Sequence, residues 1–99
     1  MLSIYSITQK LPENEKYGLV SQMRRAAVSV PANIAEGFKR KGNKDKIRFY
    51  NIAQASLEEL RYYIILCNDL NYGSYNELDN KFTSIGKMLN RLVYTINNK

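Results

Sequence analysis

The chain has 99 residues, 44% hydrophobic and 24% charged, with a net charge of +6. Those figures describe one globular domain over residues 1–99 with a modest core, and its longest apolar run is far short of a bilayer span. Having no histidine and a single cysteine, Cys67, it has no Ser-His or Cys-His pair, no histidine metal ligand, no Glu-x-x-His di-iron motif and no internal disulfide.

Gly18, Gly37, Gly42, Gly73 and Gly86 are scattered, so no phosphate-cradling loop is present. An enzyme would need an uncommon set of groups, and the expectation is a non-enzymatic protein without cofactor or metal. Cys67 lies in the apolar run "YYIILC" and reads as a small buried hydrophobe. No secretory pattern is visible, and a cytoplasmic location is expected. Eight tyrosines and no tryptophan suit half-buried surfaces and interfaces.

Hydrophobic periodicity predicts helix nearly throughout. A short first helix, Met1 to about Lys10, carries Leu2, Ile4 and Ile7. "LPEN" ends it: Pro12 cannot continue a helix, and Asn14 is placed to cap the next. The second helix runs from about Glu15 to Lys39 with an apolar stripe of Leu19, Met23, Ala26, Val30 and Ile34. Pro31 interrupts it. The alternatives are one helix kinked near Ala27 to Ser29, or two helices with Ser29 capping the second; the unbroken stripe favours the first. "KRKGNK" is a turn in which Gly42 is free to adopt the left-handed conformation. The third helix, about Lys44 to Leu70, offers Ile52, Leu57, Leu60, Ile64, Cys67 and less clearly Ile47 as its core face. After "NYGS", Ser74 and Glu77 form a capping-box pattern for a last helix with Leu78, Phe82, Ile85, Leu89, Leu92 and Ile96. Short connections make neighbouring helices antiparallel. The fold class is all-α, an up-down-up-down four-helix bundle.

Gln22, Arg25, Ser29, Asn33, Glu36 and Arg40 form a polar stripe, turned by roughly 100° from the apolar one. Ala27, Val28, Ala32 and Ala35 leave the rest of that helix small and apolar, so it calls for burial on more than one side. The stripe is a solvent face, a buried or interfacial polar network in which Arg25 or Arg40 neutralises Glu36, or a setting for catalysis by Glu36, which has no evident companion acid or base. The network has the strongest support, because a free surface carries longer charged residues than Ser and Asn.

Arg24, Arg25, Lys39, Arg40, Lys41, Lys44, Lys46 and Arg48 lie close together in the chain, offset there only by Glu36 and Asp45. Cations at Lys39 to Lys41 suit a helix C-terminus, but Lys44 and Lys46 fall at the next N-terminus, where the dipole disfavours them. The patch favours an anionic partner, and nucleic acid is the commonest candidate.

"QMRRAAVSVPANIAEGFKRK" and "DKIRFYNIAQASLEELRYYIILCNDLNY", with "ENEKYGLVSQ" before and "IGKMLNRL" after, resemble the four-helix bundle proteins encoded within intervening sequences of bacterial 23S ribosomal RNA genes. The resemblance covers nearly everything from Leu11 onward. It implies a helical bundle assembling into a pentameric barrel. These segments are also similar to the accessory variability proteins of diversity-generating retroelements, which implies a basic pentamer associated with RNA or DNA. Such proteins usually carry a longer first helix ahead of the position of Ser3, so a shortened first helix is expected here, natural or cut. Two functional readings follow: a basic homo-oligomer binding RNA or another polyanion, or a protein-interaction scaffold with no nucleic-acid partner, the latter supported by the second helix and by Tyr62 and Tyr63.

Overall fold

The structure is a computed structural model describing residues 2–73 and 77–98. Among those residues it is an all-α bundle of four helices: α1 (Leu2–Gln9), α2 (Ser21–Lys39), α3 (Asn43–Asp69) and α4 (Glu77–Asn97). Cross-helix contacts fix the directions. Arg25 meets Glu59, Ser29 meets Ser56, and Gly37 meets Tyr50, so α2 and α3 run antiparallel. Gln54 meets Asn90 and Arg61 meets Asp79, so α3 and α4 do too. The helix α3 is the spine: α2 packs along it most extensively, and α4 lies against it.

Pro12 ends the first segment, and the backbone then winds through a 3₁₀ turn (Glu13–Glu15) and a π-helical turn (Lys16–Val20) into α2. Val20 already has right-handed helical angles, so the π turn runs into α2 without a break. The expected cap at Asn14 is absent: Asn14 lies inside the 3₁₀ turn, and no side chain caps either turn. Pro31 stays inside one helix. Gly42 is extended (φ −83°, ψ 140°), not left-handed, because the chain between α2 and α3 already turns with Arg40 extended (φ −73°, ψ 146°). The left-handed residue is Asn71, at φ 61°. There the Tyr72 N–H donates to the Cys67 carbonyl and the Asn71 N–H to the Asn68 carbonyl, the Schellman pattern that ends α3. The expected Ser74 capping box lies outside the described residues.

The apolar stripe of α2 is inside: Leu19, Met23, Ala26 and Val30 are buried, and Ile34 is half-buried. They meet Ile4 and Ile7 of α1, Leu57, Leu60, Ile64 and Cys67 of α3, and Leu78 and Phe82 of α4. The side chain of Leu2, expected with them, lies outside the described residues. A second cluster of Tyr50, Ala53 and Leu89 fills the other end, with Leu92, Val93 and Ile96 packed against it half-buried. Among the described residues, only the first cluster includes side chains of α1. Ile52, expected in the core, is instead 38% exposed. The buried phase of α3 is Tyr50, Ala53, Leu57, Leu60 and Ile64, and Ile52 stands one residue, about 100°, off it. Burial pushes the Cys67 thiol above its ordinary value, and its fully buried side chain is part of the first cluster.

Candidate nucleic-acid interface

The connection between α2 and α3 brings "EGFKRKGNKDKIRFY" to one end of the bundle. Gly37 is essential to its shape. Tyr50 is only 2% exposed, and a Cβ on Gly37 would stand 2.3 Å from its ring. The absence of a side chain lets α3 close on α2 backbone-to-ring. Phe38 then packs edge-to-face on Tyr50, with ring centroids 5.9 Å apart. Lys46 reaches from the first turns of α3 and donates to the carbonyl oxygens of Gly37 (3.0 Å) and Phe38 (3.1 Å). Its cation therefore neutralises the C-terminal end of α2, although it sits near the N-terminus of α3.

Around that tip the guanidinium groups of Arg40 and Arg48 lie 4.8 and 4.5 Å from the centroid of Phe49. Arg40 also donates to Glu36 Oε2 at 2.9 Å, and Lys39 stands 3.6 Å from Glu36 Oε1. The hydrogen bond from Arg40, then the charge of Lys39, hold the Glu36 carboxyl below its ordinary range. Arg48 makes a loose pair with Asp45 at 3.8 Å. Lys41 and Lys44 are exposed and, among the described residues, have no ion-pair partner. No side chain caps the N-terminus of α3, so its first N–H groups add to the positive potential.

The polar stripe of α2 lies along the seam with α3. Ser56 Oγ donates to Ser29 Oγ at 2.7 Å, and Asn33 Nδ2 donates to the same oxygen at 3.0 Å and to the Ser29 carbonyl at 2.8 Å. Arg25 donates to Gln22 Oε1 and, at 2.6 Å, to Glu59 Oε1. Tyr63 gives its hydroxyl hydrogen to that same Glu59 oxygen, and burial followed by this bond pushes the Tyr63 pKa up. The stripe is thus half-buried at Ser29, Asn33 and Glu36, and its partners are on α3 or on α2 itself.

The cations grouped in the sequence do not all share a place. Lys39, Arg40, Lys41, Lys44 and Arg48 surround the tip, while the Lys46 ammonium is bonded to the end of α2. Arg25 is at the seam, and Arg24 faces α1, donating to Thr8 Oγ1 at 2.8 Å and lying 4.9 Å from the Tyr5 centroid. Phe38 and Phe49 are the additions the sequence reading missed. Their signal was adjacency: Phe38 directly precedes "KRK", and Phe49 directly follows Arg48. A separate crevice of about 320 Å³ lies between α3 and α4 at the other end, lined by Arg61, Ile64, Asp79 and Phe82 among others.

Fold and surface together define a small all-α bundle with Lys39, Arg40, Lys41, Lys44 and Arg48 exposed around the α2–α3 hairpin. The chain belongs to the 23S rRNA-intervening sequence protein family, whose description matches residues 1–91. No curated protein matches it. Among the described residues, no helix is long and apolar enough to cross a membrane.

Proposed function

We propose that this chain is a non-enzymatic cytoplasmic protein that assembles into a homopentamer and binds RNA or another polyanion at the α2–α3 tip. The observation carrying this reading is the exposure of Lys41 and Lys44, which among the described residues have no ion-pair partner, flanked by Lys39, Arg40 and Arg48. Cations serving only to stabilise helix ends would be engaged as Lys46 is. Membership of a family named for ribosomal RNA intervening sequences supports the choice of RNA. Repeated around a ring, a modest patch becomes a strong field.

Binding is then driven by counterion release. Affinity for ribosomal RNA fragments, followed by fluorescence polarisation, falls with a log-log salt slope of about −0.7 to −0.9 per phosphate contacted. Changing Lys39, Arg40, Lys41 and Lys44 together to Glu abolishes binding and leaves helicity intact. Absence of binding at low salt, or equal binding by the quadruple variant, sinks the reading. A scaffold that binds only protein would replace it, and the exposed Tyr62 and Ile65 on α3 favour that alternative.

A further inference from the structure

We infer that the α2–α3 tip recognises unpaired nucleotides, with a base stacked on Phe38 and the flanking phosphates held by Lys39, Lys41 and Lys44. This rests on the polyanion reading above and narrows its ligand to single-stranded nucleic acid. Phe38 is 59% exposed, a large apolar ring immediately before a run of three cations. Its setting is rigid: its edge-to-face partner Tyr50 is buried against Gly37, and its own carbonyl accepts from Lys46. A ring fixed in this way loses little entropy when a ligand covers it.

Phe49 cannot serve as the platform, since Arg40 and Arg48 already lie over it. Those stacked guanidiniums instead keep two more cations beside the tip. An aromatic face ringed by Lys and Arg is the chemistry that binds single strands, because every base offers a π face and the backbone follows the charge. A duplex keeps its base faces stacked inside and can meet only the cations. Charge complementarity argues against a second copy of this basic tip as the occupant.

The test compares a labelled RNA single strand of about 12 nucleotides with the same sequence as a blunt duplex. The wild type binds the single strand about tenfold more tightly, and 2-aminopurine in that strand is quenched on binding. Phe38→Ala lowers single-strand affinity by about 5- to 100-fold and leaves duplex affinity unchanged, whereas Phe38→Trp retains the preference. Equal affinity for the two forms, unchanged by Phe38→Ala but lost in the quadruple Glu variant, overturns this inference while the polyanion reading stands. Binding of neither form by the wild type overturns both. A drop in assembled mass on Phe38→Ala, with both forms losing affinity equally, assigns the ring to a contact between copies and overturns it as well.

Discussion

Gly37 and Gly86 are both helical glycines facing another helix, and their surroundings set opposite expectations. A Cβ at Gly37 would lie 2.3 Å from Tyr50 Cε1, against a ring that is buried and has nowhere to go. A Cβ at Gly86 would meet Leu57 Cδ2 at 3.6 Å, an ordinary contact. Gly37→Ala should therefore cost about 1–3 kcal/mol through overpacking, read as a lower urea midpoint. Gly86→Ala should be neutral or raise stability by up to about 1 kcal/mol, because alanine is the better helix former. Equal effects at the two positions would mean that Tyr50 yields easily. Nothing in the sequence separates these glycines, since each sits inside a helical pattern. The difference comes from a residue 13 positions away that only tertiary packing brings near.

At the scale of helices, periodicity located the elements well. The expected second and third helices, about Glu15 to Lys39 and Lys44 to Leu70, share their C-terminal ends with α2 and α3 to within a residue, but α2 begins only at Ser21, because the chain before it winds as 3₁₀ and π turns. Pattern reading failed where geometry exceeds one helix. Lys46 reads as a ligand-binding cation because a cation near an N-terminus has no local reason to be there, yet the C-terminus of the neighbouring helix supplies one, through the Gly37 and Phe38 carbonyls. Ser29 and Asn33 were legible as a network but their partner Ser56 was not, because register between helices is not written in either one alone. Lys44 and Lys46 now separate two roles. Lys46→Ala should lower stability by about 1 kcal/mol, losing bonds to two helix-terminal carbonyls, and leave the salt slope of RNA binding unchanged. Lys44→Ala should leave stability within about 0.5 kcal/mol and reduce the slope by about one phosphate. A reversal of these effects would show that Lys46 faces the ligand.

The whole molecule is a rod, 47 × 23 × 17 Å, with apolar surface left on two sides. On α2, Val28, Pro31, Ala32 and Ala35 share one exposed face. On α3, Tyr62 and Ile65 lie about 60° apart and share another, at 60% and 52% exposure, while Ile52, 38% exposed, stands about 140° from Ile65 on the other flank of the buried phase. The two faces are unlike, one small and smooth, the other studded with large side chains. Unlike faces fit a heterologous contact, in which each subunit offers one patch to its neighbour's other patch and the ring closes. Ile52 marks the edge of α3 away from that face, and an apolar residue outside the monomer's buried phase is a further place where a neighbour would be met. Light scattering at micromolar concentration should give the mass of a multimer, a pentamer in the proposed assembly. Ile52→Glu should reduce that mass without lowering helicity, since the side chain is absent from both core clusters and a buried, unpaired carboxylate at a subunit seam is strongly unfavourable. If the wild type has the mass of a single protomer, both faces are merely solvated and the ring is refuted. A multimer that keeps its mass with Ile52→Glu would place the contact away from Ile52 and its edge of α3.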